Sequence, residues 1–278
     1  TLRPAAEIPD HHRIALTSLN LNFDSIGAGP PVIILHGLFG QGRNWAGIAR
    51  GLSNTHTVFT VDLRNHGQSP WADEMTYQAM AADVAHLIAS HTPAPVALIG
   101  HSMGGKVAMT LAMTQALTRA EMIQRLCIVD IAPVPYSHDF EGHLKAMANL
   151  DITSITRRAE AEAALLDQLD DPFLTRFLIR NLKAYEATGG FSWSVNLAAL
   201  ATHMDDILDF PVFEADQAYE GPALFLAGGD SDYIQPYHQG EIERLFPAAE
   251  IEIIDGTGHW LHADKPDLIT ARLMEFLT

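Results

Sequence analysis

The sequence predicts an α/β fold, in which a mostly parallel sheet carries helices on both faces and is interrupted by an inserted helical cap. Short, almost wholly apolar runs alternate with helical stretches, as expected for strands buried on both faces of a parallel sheet. The alternation stops over residues 135–219, where amphipathic helices dominate, and then resumes. We therefore divide the chain into a core domain, residues 1–134 and 220–278, and a cap, residues 135–219.

The individual elements follow from hydrophobic spacing and from the glycines and prolines between them. Two short runs at 14–19 and 21–26 are close enough to form an antiparallel strand pair. Buried strands are predicted over 32–35, 57–63, 96–99, 123–129, 223–227 and 250–254. Helices are predicted over 44–52, 76–90, from 103 onwards, 158–169, 172–185, 195–208, 237–246 and 266–277.

Composition restricts the partners of the protein. A hydrophobic content of 47% over 278 residues is ample for a sizeable core, and the net charge of −17 disfavours nucleic acid or an anionic membrane surface as a partner. No apolar run reaches the roughly 18 residues of a transmembrane helix. The single cysteine, Cys127, lies in an apolar run, which predicts a buried thiol and a reducing, cytoplasmic compartment. We expect a monomer or a homodimer.

The stretch after the predicted strand at 96–99 carries the strongest chemical signal. It contains Gly100-x-Ser102-x-Gly104 between a strand and a helix, the arrangement of a nucleophile elbow. Such a turn strains the serine backbone, and side chains at the flanking glycines would collide with the neighbouring strand and helix. The sequence therefore predicts Ser102 as a nucleophile exposed at the end of the sheet.

A serine nucleophile needs a base, and the loop after the last predicted strand supplies His259. We interpret His36 and His101 as structural. An oxyanion hole needs two N–H donors, for which Met103, directly after the nucleophile, and Leu38, in the loop after the strand at 32–35, are the candidates.

The acid that orients the histidine has two candidates at strand ends. Asp130 ends the strand at 123–129. Asp232 lies in a G-x-x-D-x-x-x-P loop of the kind that usually holds this acid. The residues alone leave the choice open.

Taken together, the motifs resemble those of the YbfF-type bacterial esterases and their mitochondrial counterparts, which are lidded enzymes of the α/β-hydrolase fold. The resemblance rests on His36-Gly37-Leu38-Phe39-Gly40, Asp62-Leu63-Arg64-Asn65-His66-Gly67-x-Ser69, Gly100-His101-Ser102-Met103-Gly104-Gly105-Lys106, Val129-Asp130-Ile131-Ala132-Pro133-Val134 and Gly258-His259-Trp260. It covers nearly the whole chain outside the cap. It implies a carboxylesterase or acyl-CoA thioesterase without a cofactor, and it favours Asp130 as the acid. The chain departs from that family by carrying Asp232 in the later loop.

The substrate site is less well specified by the sequence. We expect Phe39, Phe173, Phe177 and Trp260 to contact the substrate, a small ester or thioester. Arg176, Arg180 and Lys183 share one helical face and fit either a coenzyme A phosphate or, as we favour, a solvated surface. The stretch from Asp62 to Ser69 is predicted to be a structural turn rather than a second site. No spacing of residues indicates a metal site.

The predicted reaction is a two-step acyl transfer through Ser102 and His259. A serine at the elbow excludes the related dehalogenases and epoxide hydrolases, which use an aspartate nucleophile. A cofactor-free perhydrolase, a carbon–carbon bond hydrolase and a non-catalytic receptor for a small ligand remain alternatives on the same scaffold.

Overall fold

The computed structural model describes residues 18–92, 95–118, 122–138, 140–184 and 190–278. The strands are β1 (Phe23–Ile26), β2 (Pro31–Leu35), β3 (Thr57–Val61), β4 (Val96–His101), β5 (Ile123–Val129), β6 (Leu182–Ala184), β7 (Phe191–Trp193), β8 (Ala223–Gly228) and β9 (Ala249–Ile254). The α-helices are α1 (Ala46–Leu52), α2 (Tyr77–His91), α3 (Met103–Thr118), α4 (Glu141–Asn149), α5 (Arg158–Leu169), α6 (Pro172–Ile179), α7 (Leu197–Thr202), α8 (Met204–Leu208), α9 (Gln239–Leu245), α10 (Leu261–Asp264) and α11 (Pro266–Leu277). Short 3-10 helices span Gly42–Trp45 and Pro236–His238.

Seven strands form one sheet in the order β1-β3-β2-β4-β5-β8-β9. All neighbouring pairs are parallel except β1 and β3, which are antiparallel. The predicted α/β fold with a mostly parallel sheet is therefore confirmed. The carboxyl ends of β2, β3, β4, β5 and β8 lie at the same edge, where an open α/β sheet binds its ligands.

Side chains alternate between two hydrophobic layers, one on each face of the sheet. In β2, Ile33 and Leu35 pack into the layer that α2, α3 and α9 cover. Val32 and Ile34 pack into the other layer, which α1 and α11 cover. All four side chains are wholly buried, which explains why this strand reads as a continuous apolar run. Cys127 is buried as predicted, and burial raises its pKa.

Several predicted elements need correction. The strand β1 pairs with β3, which the sequence does not predict; the pairing predicted with the run at 14–19 falls mostly on residues 14–17, which lie outside the described residues. The helix predicted over 172–185 ends at Ile179 and is followed by β6; residue 185 lies outside the described residues. The helix predicted over 195–208 is divided at His203 into α7 and α8. The inserted segment, residues 135–219, also contains α4 and an antiparallel ribbon of β6 and β7, neither of which the sequence pattern predicts.

The inserted segment contacts the loops that follow β2 and β3 through buried amides. The Asn181 side chain, which is wholly buried, donates to the Phe39 carbonyl (2.8 Å) and accepts from the Gln41 amide (2.7 Å). Asn196 donates its side-chain amide to Asn65 Oδ1 (3.1 Å) and its backbone N–H to the Asn65 carbonyl (2.9 Å). These bonds hold the insertion against the edge of the sheet where Ser102 lies. The described part of the chain contains no helix that combines the length and the apolar character of a membrane span.

Candidate active site

Ser102 lies in the turn between β4 and α3 with a φ of +52°, in the left-handed region that strains a residue with a side chain. The two flanking glycines leave room for this turn. A Cβ on Gly100 would lie 2.3 Å from the Gly104 carbonyl oxygen, and a Cβ on Gly104 would lie 2.5 Å from the His36 carbonyl oxygen. The predicted spacing of glycines is therefore required by the close approach of strand, turn and helix.

His259, in the loop after β9, is hydrogen-bonded to Asp130, which directly follows β5. The distance from His259 Nδ1 to Asp130 Oδ2 is 2.8 Å, and the Asp130 side chain is wholly buried. Asp130 Oδ1 accepts the Gly228 N–H (2.8 Å), and Oδ2 also accepts the Ser231 hydroxyl. Three donors thus fix this carboxylate, and it in turn fixes the plane of the imidazole.

The second acid candidate is placed differently. Asp232 is exposed, and in the described part of the chain it makes no hydrogen bond or ion pair with His259. Its neighbour Ser231 reaches the Asp130 carboxylate instead. The loop that was the alternative source of the acid therefore supplies a hydroxyl donor to Asp130, a role that no sequence motif indicates.

The two candidate oxyanion donors are the backbone N–H groups of Leu38 and Met103. Among the hydrogen bonds of the described turns and loops, none is donated by the N–H of Leu38 or of Met103. The Gly37 carbonyl accepts from the Gly40 N–H (2.9 Å) and from His36 Nδ1 (2.8 Å). Because a trans peptide directs its N–H opposite to its carbonyl, these bonds turn the Leu38 N–H away from the loop.

Two buried histidines, His36 and His66, connect the loop after β2 with the loop after β3 through hydrogen bonds. His36 Nε2 accepts the Leu63 N–H (3.0 Å), and His66 Nε2 accepts the Phe39 N–H (3.2 Å). In each ring the Nδ1–H donates to a backbone carbonyl, so both histidines are neutral with the proton on Nδ1. Burial lowers the pKa of both, and it lowers that of His66 to about 3.

Besides its hydrogen bond to Asp130, His259 contacts His101 and Tyr233. His101 Nε2 lies 2.8 Å from the His259 carbonyl oxygen, which can only accept, so the His101 proton is on Nε2. Burial and the neighbouring His259 and His262 lower the pKa of His101, which agrees with a structural role. The Tyr233 ring stacks on His259 with 3.8 Å between centroids and an interplanar angle of 17°.

Ser102 and His259 line one cavity of about 350 Å³ beneath the inserted segment. Three of the four expected substrate contacts, Phe39, Phe177 and Trp260, also line it. Phe173 does not: its side chain is 48% exposed, and it packs on Trp260 with 5.0 Å between ring centroids. The lining also contains residues that no sequence motif indicated, namely Asn44, Trp45, His138, Phe140, His143, Asp171, Leu174, Tyr233 and His262.

The stretch from Asp62 to Ser69 forms a structural turn, as predicted. The Asp62 carboxylate accepts the N–H groups of Gly42 (2.8 Å) and Gln68 (2.8 Å). Arg64 forms a buried ion pair with Asp83 (2.7 Å). These contacts tie the loop to its neighbours and leave no carboxylate free for a second reaction.

Arg176, Arg180 and Lys183, which were predicted to share one helical face, do not do so, because α6 ends at Ile179 and Lys183 lies in β6. Arg176 lies 3.7 Å from Glu162, and the Lys183 ammonium donates to the Gly67 carbonyl at 2.7 Å. Arg180 is exposed. All three cations are exposed and two of them have protein partners, which favours the predicted solvated surface over a phosphate site.

Comparison with known proteins finds relatives that are named as esterases and as a lipase. Residues 30–266 match the family described as alpha/beta hydrolase fold. The chain is 41% identical over 263 residues to the sn-1-specific diacylglycerol lipase ABHD11 of Danio rerio, covering 92% of this chain and 80% of that protein. It is 33% identical over 248 residues to the esterase YbfF of Escherichia coli K12, covering 89% of this chain and 92% of that protein.

Among solved structures, a marine microorganism esterase has a TM-score of 0.88 and 36% identity, and the match covers 93% of this chain and all of that one. The resemblance drawn from the motifs is therefore confirmed.

Proposed function

The chain belongs to the alpha/beta hydrolase fold family, and we propose that it is a serine hydrolase that cleaves carboxylic esters through an acyl-enzyme intermediate. The observation that carries the proposal is the hydrogen-bonded pair of His259 and Asp130, with His259 and Ser102 lining one cavity. Relatives named as esterases and a lipase match most of the chain, which supports an ester as the substrate.

In the first step, Ser102 Oγ forms a bond to the ester carbonyl carbon while His259 takes the hydroxyl proton. The acceptor is Nε2, because Nδ1 is occupied by Asp130. The electron pair of the carbonyl moves to its oxygen, which receives hydrogen bonds from the N–H groups of Leu38 and Met103. The bond to the leaving alcohol then breaks, and the alcohol takes the proton from His259.

In the second step, water replaces the alcohol. His259 takes a proton from the water, whose oxygen bonds to the acyl carbon, and the same two N–H groups stabilise the second oxyanion. Breaking the bond to Ser102 releases the carboxylic acid and returns the proton to the serine. Asp130 stabilises the imidazolium form of His259 in both steps.

The test is the initial rate of hydrolysis of p-nitrophenyl esters from acetate to palmitate, with acyl-CoA thioesters measured alongside. We expect Ser102→Ala to lower kcat by about 10⁴-fold or more. Ser53→Ala is the matched control, because the Ser53 hydroxyl donates to the Arg50 carbonyl at the end of α1 and Ser53 does not line the cavity, so the rate should be unchanged. Ester turnover that survives in Ser102→Ala would refute the proposal.

A further inference from the structure

A second, much smaller cavity adjoins the first at Ser102. Its volume is about 20 Å³, against about 350 Å³ for the larger one. Ser102 and Leu38 line both cavities, whereas Met103 lines only the small one and His259 only the large one. The nucleophile therefore lies where a wide space and a narrow space meet.

The proposed reaction decides which part of the substrate enters which space. His259 must protonate the leaving group, so the leaving group has to lie on the side of the cavity that His259 lines. The acyl substituent occupies the remaining position around the attacked carbon, away from His259. The small cavity, which lacks His259, is the space available for it.

We propose that the small cavity is the acyl subsite and that it restricts the enzyme to esters of short acyl groups, with a bulky apolar alcohol or phenol in the large cavity. This inference rests on the proposed function. A cavity needs about 10–15 Å³ to hold one water-sized group, so a cavity of 20 Å³ accepts the one or two carbons of an acetyl or propionyl chain. The larger cavity has mostly apolar walls, including Leu174, Phe177 and Trp260, which suit an apolar leaving group.

The walls of the small cavity are held by buried polar groups and cannot easily move outward. The Tyr77 hydroxyl donates to the Ile207 carbonyl at 2.6 Å. The Lys106 ammonium, whose side chain is 2% exposed, donates to the carbonyls of Leu208 (2.8 Å) and Asp209 (2.6 Å). These bonds fix α8 as the far wall, and a longer chain would have to leave a buried ammonium without its acceptors.

The experiment varies the two halves of the substrate separately. One series keeps p-nitrophenol and lengthens the acyl group from acetate to octanoate; the other keeps acetate and enlarges the leaving group from phenol to 4-butylphenol, which are similar in basicity. We expect kcat/KM to be highest for acetate or propionate and to fall at least tenfold by hexanoate. Along the acetate series we expect kcat/KM to be maintained or to rise. A maximum at hexanoate or octanoate would overturn the proposal.

Two matched truncations identify the walls. Ile207→Ala removes a wall of the small cavity alone, and Leu174→Ala removes a wall of the large cavity alone. We expect Ile207→Ala to move the acyl preference to chains about two carbons longer, and Leu174→Ala to change only the acetate series. Should Ile207→Ala unfold, which a thermal melt would reveal, Ile207→Val gives the smaller shift in the same direction.

The outcomes separate this inference from the proposed function. An acyl preference that responds to Leu174→Ala and not to Ile207→Ala would overturn the assignment of the two cavities, while turnover that depends on Ser102 would still support a serine hydrolase. Loss of all dependence on Ser102 would overturn both.

Discussion

Replacing Asp130 by asparagine tests how His259 is oriented. The carboxylate accepts His259 Nδ1–H at 2.8 Å through Oδ2 and the Gly228 N–H at 2.8 Å through Oδ1. Asparagine has nearly the same shape and can keep the Gly228 bond through its carbonyl oxygen. Its amide nitrogen then faces His259, so Nδ1 must become an acceptor and the proton moves to Nε2. The ring nitrogen that would take the Ser102 proton loses its lone pair.

The size of the effect follows from this change of tautomer. The corresponding substitution in a serine triad lowers kcat by about 10⁴-fold. At about 1.36 kcal/mol per factor of ten, this is about 5.4 kcal/mol of transition-state stabilisation. Asp130 lines neither of the cavities beside Ser102, so we expect KM to change little.

The assay compares kcat for steady-state hydrolysis of p-nitrophenyl acetate by Asp130→Asn and by Asp232→Asn. The second variant carries the same chemical change on an exposed carboxylate of the neighbouring loop, and we expect its kcat to stay within about twofold of the wild type. Thermal melts confirm that both variants are folded. A large loss of kcat in Asp232→Asn together with a near-normal Asp130→Asn would refute the assignment of the acid.

Three further predictions concern the free energy of unfolding, measured by urea denaturation. Asn181→Ala removes the buried donor to the Phe39 carbonyl and one of the two acceptors of the Gln41 amide, which keeps Ser194, and should cost about 1–3 kcal/mol; an unchanged free energy of unfolding would contradict it. The pKa of His66 is lowered to about 3, so the unfolded chain binds the extra proton below about pH 6.5. Stability relative to His66→Gln should therefore fall by about 1.4 kcal/mol per unit as the pH decreases from 6 to 4, and a constant difference would contradict this. Burial lowers the pKa of Lys106 to about 7, so the unfolded chain binds more protons between about pH 7 and 10. Stability relative to Lys106→Met should rise with pH across that range, and a fall would contradict the prediction.

The parts of the fold that the sequence predicted are those with a local signal. The strand β5 and the turn at Ser102 were predicted at their observed positions because an apolar run, or a pair of glycines, specifies them within a few residues. The parts that were missed depend on distant contacts. The partner of β1 is β3, more than thirty residues away, and β6 and β7 are three-residue strands held mainly by pairing with each other. Nothing in a three-residue run distinguishes such a strand from a loop.

The same distinction applies to the site, and the histidines show why. The sequence supplies 14 of them and no means of choosing a tautomer, because a tautomer is set by what the other ring nitrogen contacts. In the structure, backbone carbonyls set the tautomers of three rings, because each donates its one N–H to a carbonyl oxygen: His36, His66 and His101. His259 differs because its Nδ1–H is directed to a carboxylate. A carboxylate can stabilise the imidazolium, whereas a carbonyl in a buried site leaves a positive charge uncompensated. In the proposed mechanism, His259 is therefore the one of these four rings that would carry the proton between substrate and Ser102, whereas the other three bond to backbone groups of the surrounding loops.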